Sequence, residues 1–295
     1  MRALSERLES DRPTIDSLSR GTLDSALRRS LHGMRPFYFG SAGKPLLGLL
    51  HAAAGTSGSR RAVVVCPPFG PEYMRAYRAL RELSHRLAAE GLCTVRFDYY
   101  GTGDSSGREE EGTPEQWLDD IEAALVEAQE ASGGGILSIV GLRLGATLAM
   151  LACRRRADID RLVLWDPVVV GRTYLAELVE RHNALVAERP RPRGYRVSEP
   201  PTELLGTPVT PAVLSFLESL DLLRFEQPPA ARTCVISSSD DEHASEDLAR
   251  RLREAGADVH FERRPGPRVW LKEDDVIRAL VPHAAIGTIA SWLAQ

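Results

Sequence analysis

The chain has 295 residues, 43% of them hydrophobic, with 37 Lys and Arg against 41 Asp and Glu for a net charge of −4. This is enough for one large domain with a real core, or a core plus a lid. Both charge signs are spread along the chain, which excludes a basic field for nucleic acid and a polybasic tract for an anionic membrane. No apolar run reaches the ~18 residues that a membrane span needs. The polar, charged start has no apolar segment of the signal-peptide kind, so a cytoplasmic location is expected. The four cysteines, Cys66, Cys93, Cys153 and Cys234, lie in apolar runs without a paired spacing. They read as reduced, buried thiols, neither disulfides nor metal ligands.

Residues 1–33 read as an appendage. Ile15, Leu18, Leu23, Leu27 and Leu31 make a rough helical stripe among Ser, Arg and Asp, which suits a surface helix, a homo-oligomer contact or a disordered tail. From residue 35 the pattern turns to strands. Segments 36–40 and 45–53 read as a hairpin joined through Ser41-Ala42-Gly43-Lys44. The Val-rich run 62–66 is of the kind buried on both faces of a parallel sheet, and it ends at Pro67-Pro68-Phe69-Gly70. A helix over about 72–89 follows, with Ala76, Leu80, Leu83 and Leu87 on one side, stopped by Gly91. Segment 92–97 is another buried strand, and the stretch from Asp98 to Gly107 leaves its C-terminal end. Thr113-Pro114-Glu115-Gln116 opens the next helix. Thr113 is a cap, Pro114 suits the first turn, and Gln116 is placed to close a capping box. Trp117, Ile121, Ala124, Leu125 and Ala128 supply its buried stripe, and Ser132-Gly133-Gly134-Gly135 ends it.

Next comes a short apolar strand, Ile136-Leu137-Ser138-Ile139-Val140, then Gly141-Leu142-Arg143-Leu144-Gly145 and an apolar helix. Two glycines around one residue leave room for a sharp strand-to-helix turn that pushes the middle residue, Arg143, out at the top of the sheet. A strand over 160–165 ends in Asp166-Pro167. Over 171–229 the alternation lapses. This piece is rich in Pro and Arg (Arg189-Pro190-Arg191-Pro192-Arg193), with a second helix capped at Thr210-Pro211 and carrying Val213, Leu214, Leu217 and Leu220. An insertion of about 60 residues exceeds an ordinary connection and reads as a lid. The rhythm returns with strand 233–237, helix 244–255, strand 259–261 and helix 282–293. The expected organisation is an extension at 1–33, an α/β core at 34–170 and 230–295, and a lid at 171–229. Alternating strands and helices predict a mostly parallel sheet covered on both faces. Ligands in such sheets bind beyond the carboxyl ends of the strands, where Asp98, Arg143, Asp166 and Asp240 all fall.

These motifs, taken in order, resemble the α/β-hydrolase superfamily, and within it the serine-aminopeptidase-like branch that includes the exosortase-associated hydrolases. The likeness runs from about residue 36 to the end. It rests on Cys66-Pro67-Pro68-Phe69-Gly70, on the stretch from Arg96 to Gly107, and on the glycine-flanked turn. The resemblance implies a bacterial hydrolase with a Ser at that turn, a His after the last strand and an Asp after strand 233–237. Arg143 fills the Ser position, and a guanidinium has five donors and no attacking lone pair. Residues 263–275 contain no His; His260 precedes them within its strand and His283 follows. Asp240 or Asp241 fits the acid's place. Without Ser and His, only the residual catalysis of binding and an oxyanion hole would remain.

Arg143, Asp240, Asp241, His243 and His283 are the residues expected to carry chemistry. Phe69, Gly70, Asp98, Leu142, Leu144 and Asp166 are the expected substrate-binding set, with no metal and no cofactor. At a helix N-terminus Arg143 can grip a carboxylate or phosphate, or it can serve as a structural ion pair with Asp98, Asp166, Asp240 or Glu72. Phe69-Gly70 matches the turn that lends a backbone N–H to an oxyanion hole in the resembled family; otherwise it is simply a tight turn. His243 and His283 read equally as helix-start residues, and Cys66 as a core thiol. Two functions follow. One is an unconventional enzyme on an acyl, ester, amide or thioester-like small molecule, with an anionic or carrier-bound acyl group as the partner Arg143 would suit. The other is a pseudoenzyme that binds or scaffolds. An open cavity holding Arg143 favours the first; an Arg143 closed into a salt-bridge network favours the second.

Overall fold

The computed structural model describes residues 34–54, 60–187, 201–239, 243–271 and 281–295. The appendage, the Arg-rich stretch 189–193, Asp240 and Asp241 lie outside these. The strands are β1 (Met34–Ser41), β2 (Lys44–His51), β3 (Arg61–Cys66), β4 (Cys93–Phe97), β5 (Ile136–Leu142), β6 (Ile159–Trp165), β7 (Glu203–Leu204), β8 (Thr207–Pro208), β9 (Arg232–Ser237) and β10 (Asp258–Arg263). The helices are α1 (Pro71–Ala89), α2 (Pro114–Ala131), α3 (Leu144–Cys153), α4 (Gly171–Ala187), α5 (Pro211–Ser219), α6 (Ala244–Glu254) and α7 (His283–Ala294).

Among the described residues, eight strands form one sheet in the order β1-β2-β4-β3-β5-β6-β9-β10. β1, β2 and β4 pair antiparallel, and every pairing from β4 to β10 is parallel. The expected mostly parallel α/β sheet is therefore the observed one. Its strand order reverses between β3 and β5, because β4 lies on one side of β3 and β5 on the other. The turns that leave β3 and β5, at Gly70 and Arg143, consequently flank the crevice where such sheets hold ligands.

The period-two alternation decides which core each side chain joins. Ala62, Val64, Cys66, Leu137, Ile139, Leu162 and Leu164 pack on the side of α2, α3 and α6. Val63, Val65, Val140, Leu142, Val163 and Trp165 pack against α1 and α7. Thr113 caps α2 by accepting the Gln116 N–H at 3.2 Å. The Gln116 side chain does not close the capping box: it donates to Asp120 Oδ1 at 2.8 Å and accepts from Lys44 Nζ at 2.5 Å. One partner a helical turn on and one tertiary partner, Lys44 of β2, outcompete the backbone donor.

The β6–β9 connection holds α4, α5 and a hairpin absent from the sequence-based expectation. β7 and β8 are joined by Leu205 and Gly206 at φ 56° and 88°, the paired left-handed geometry of a two-residue hairpin turn. His182 on α4 anchors it: Nδ1 accepts the Leu205 N–H at 3.0 Å. No helix among the described residues is long and apolar enough to cross a membrane.

Candidate functional site

Arg143 occupies the whole turn between β5 and α3, at φ 55° and ψ −124°. Added methyl groups on Gly141 and Gly145 would strike, respectively, the α3 backbone and the carbonyls of Cys66 and Pro67. The glycines thus let helix, strand and the neighbouring β3 end approach closely. A non-glycine residue in this backbone region is strained by about 1–3 kcal/mol. Arg143 is held there by its N–H donating to Trp165 O at 3.0 Å and its carbonyl accepting from Ala146 N at 3.0 Å.

The Arg143 side chain does not project into an open pocket. The residue is 5% exposed. Nη2 donates to Glu177 Oε2 at 2.8 Å, and Nε lies 3.5 Å from Glu72 Oε2, at ion-pair range without hydrogen-bond alignment. The Tyr174 and Trp270 rings lie 5.2 and 5.1 Å from the guanidinium carbon. Tyr174 donates its hydroxyl to Glu72 Oε2 at 3.1 Å. Arg181 adds contacts to Glu72 Oε1 at 3.2 Å and Glu177 Oε1 at 3.4 Å. Two guanidinium groups thus face two carboxylates and their charges balance. Burial opposes the Arg143 charge, but Glu72 and Glu177 outweigh it and hold its pKa above the usual arginine value. Burial pushes the Glu72 carboxyl up, with Arg143 opposing that shift.

Of these partners the sequence reading names Glu72 alone. Tyr174, Glu177 and Arg181 share an i, i+3, i+7 spacing that puts them on one face of an amphipathic helix, the signal that points to them. Trp270 comes from the segment after β10 and carries no such signal.

The other candidate residues are dispersed. Asp98 lies beyond β4, its Oδ1 accepting from the Tyr73 hydroxyl at 2.5 Å and its Oδ2 from the Asp104 N–H at 3.0 Å. Asp166, fully buried at φ 45°, accepts from Ser238 N at 2.7 Å and Ser238 Oγ at 2.6 Å. It ties the ends of β6 and β9. Neither aspartate pairs with Arg143. Leu142 and Leu144 are fully buried and turned into opposite core faces, so their side chains present no surface to a substrate. His243 is exposed at the start of α6. His283 is exposed at the start of α7 and lines a shallow groove along β10 to which Arg143 does not contribute. Asp240 and Asp241 lie outside the described residues.

Phe69 and Gly70 do line a concavity. Gly70 turns at φ 57° and ψ −136° before α1. Phe69 packs on Trp117 at 5.3 Å between ring centroids. Together with Tyr73, Tyr100, Leu205 and Thr207 they line a cavity of about 290 Å³ roofed by the β7–β8 turn; Arg143 is not among its lining residues. Cys66 is fully buried and burial drives its thiol well above the normal range, so it is a core thiol. The Ser105 hydroxyl donates to Asp98 O at 2.6 Å and accepts the Leu47 N–H at 2.8 Å, closing a loop. Among the described residues no hydroxyl or thiol shares a hydrogen bond with a histidine ring: His182 accepts from Leu205, His260 meets Glu262, and His51 packs on His85.

A family model described as serine aminopeptidase, S33 matches residues 58–210, just over half of the chain. The chain belongs to the serine aminopeptidase, S33, family. Solved structures agree on the α/β-hydrolase fold of this S33 protein. Est1E from Butyrivibrio proteoclasticus, determined with ferulic acid bound, matches at 17% identity and TM-score 0.63, over 87% of this chain and 97% of that one. An esterase from Pyrococcus furiosus matches at 16% identity and TM-score 0.60, over 90% and 92%. A fungal esterase from Rhizomucor miehei matches at 17% identity and TM-score 0.53, over 99% and 95%. At these identities the likeness establishes the fold alone. A comparison with curated protein sequences gives no significant match.

Proposed function

We propose that this S33-family chain is a small-molecule binding protein built on a hydrolase scaffold, without acyl-enzyme chemistry. The observation that carries the reading is Arg143 in the strand-to-helix turn, 5% exposed and clamped by Glu72 and Glu177. The family chemistry asks for an attacking hydroxyl at this turn and an imidazole to take its proton. A guanidinium supplies neither, and Trp270 covers it from the segment where the imidazole is expected. The unconventional-enzyme reading, with Arg143 anchoring an anionic or carrier-bound acyl group, needs free donors on that guanidinium. Nη2 donates to Glu177, Nε lies in ion-pair range of Glu72, and the residue is only 5% exposed. We read the β6–β9 connection as a lid that serves two ends: α4 closes over Arg143, and the β7–β8 hairpin roofs the cavity beside Phe69.

The test is a fluorophosphonate probe and a panel of activated acyl esters, applied to the full chain and to Arg143→Ser. The expected result is no covalent label and no hydrolysis above background in either protein, since restoring a hydroxyl does not restore a base. Stoichiometric labelling of one serine, or ester turnover by the unaltered chain, overturns the proposal.

A further inference from the structure

We infer that the cavity under the β7–β8 turn is a site for an organic cation, a substituted ammonium on a small apolar body, and not for a carboxylate or phosphate. The inference deepens the binding role proposed above and rests on it. It reverses the charge that Arg143 suggests from the sequence.

Four rings, Phe69, Tyr73, Tyr100 and Trp117, line the cavity, and its one described charged lining residue is Glu109; no Lys, Arg or His is among the described lining residues. Aromatic faces attract cations through the ring quadrupole, most strongly where water is excluded. Two of these rings are made more electron-rich by their own hydrogen bonds. The Tyr73 hydroxyl donates to Asp98 at 2.5 Å and the Tyr100 hydroxyl donates to Glu111 at 3.1 Å. A phenol that donates to a carboxylate shifts electron density into its ring.

Further negative charge stands behind the walls. Asp98 sits directly behind Gly103, where an added methyl group would collide with its carboxylate. Asp120 accepts the Tyr100 N–H at 2.8 Å. Three cations stand nearby without lining the cavity, and Arg96 among them stacks on Tyr77 at 4.5 Å. Lys44 Nζ stacks over Tyr100 at 4.8 Å while donating to Gln116, and Arg108 pairs with Glu111 at 3.4 Å. At about 290 Å³ the cavity is at the small end for ligand sites, which limits the occupant to a head group and a short chain.

The experiment is isothermal titration of the full chain with choline, with its uncharged carbon isostere 3,3-dimethylbutan-1-ol, and with benzoate, repeated on Glu109→Gln. Glu109 lies on an exposed turn, so the variant keeps the fold; its circular dichroism and Tm confirm this. The expected result is choline bound about five- to thirty-fold more tightly than the isostere, benzoate not bound, and choline weakened about threefold in Glu109→Gln. Equal or tighter binding of the isostere, preferential binding of benzoate, or no choline binding up to millimolar concentrations overturns the inference. Ester turnover would overturn the proposed function without altering the charge preference, so the two failures are distinguishable.

Discussion

Replacing Arg143 tests whether its guanidinium is a structural cation. In Arg143→Ala, Glu72 stays fully buried and loses one of its two cations. Breaking a buried ion pair by removing one partner typically destabilises by about 3–5 kcal/mol. Two features reduce that here. Arg181 and the Tyr174 hydroxyl remain on Glu72 at 3.2 and 3.1 Å, and the Glu177 side chain is 38% exposed, so water screens it once released. The expected loss is about 2–3 kcal/mol. Arg143→Gly removes the same charge but suits φ 55° and ψ −124°. Relief of about 1–3 kcal/mol of backbone strain, less the greater chain entropy of glycine, leaves it about 1 kcal/mol more stable than Arg143→Ala. Arg143→Ala/Glu72→Gln recovers about 1–2 kcal/mol of the loss, because the buried anion leaves with its cation.

pH adds a signature to the same series. Burial raises the folded Glu72 carboxyl above its ordinary 4.5, and loss of Arg143 raises it further. Above that ordinary value the folded variant holds more protons than its unfolded chain, so its stability falls as pH rises. The gap between Arg143→Ala and the unaltered protein is therefore narrow below about pH 4.5 and widens upward. Urea unfolding followed by far-ultraviolet circular dichroism at several pH values measures it. The reasoning fails if Arg143→Ala matches the unaltered protein, or if neither Gly at 143 nor Gln at 72 recovers stability.

Asp120, 2% exposed, is pushed up to about 6 from 3.8 chiefly by burial. Its raised value makes folding less favourable as pH climbs from about 4 to about 6, by about 3 kcal/mol. Asp120→Asn keeps an acceptor for the Tyr100 N–H and should flatten that part of a stability–pH curve. Gly145→Ala should destabilise by more than 3 kcal/mol or fail to fold, because the new methyl group strikes the carbonyls of Cys66 and Pro67; soluble yield and Tm report it. His182→Ala removes the acceptor for the Leu205 N–H. Hydrogen exchange should quicken at residues 203–208, with global stability falling by only about 1 kcal/mol. Thr113→Ala should cost about 1 kcal/mol through the lost cap on the Gln116 N–H, read by urea unfolding.

The sequence by itself determined the layered α/β core and the position of its sharpest turn. Those features are written in local chemistry. Apolar runs such as Ala62-Val63-Val64-Val65-Cys66 suit strands buried on both faces, Thr113-Pro114 starts a helix, and Gly141 and Gly145 permit one close crossing. Only the tertiary structure decided what Arg143 does. Its charge is met by Glu72, by Glu177 and by the rings of Tyr174 and Trp270, from α1, α4 and the segment after β10. An ion pair depends on distance in space, and no periodicity carries that across the 34 residues from Arg143 to Glu177 or the longer stretch to Glu72. The same limit hid where the β7–β8 hairpin comes to lie, the pull of Lys44 on Gln116, and the acidic surroundings of the four rings. Each depends on segments distant in the chain, as when the β7–β8 turn reaches Phe69 or Lys44 of β2 reaches Gln116.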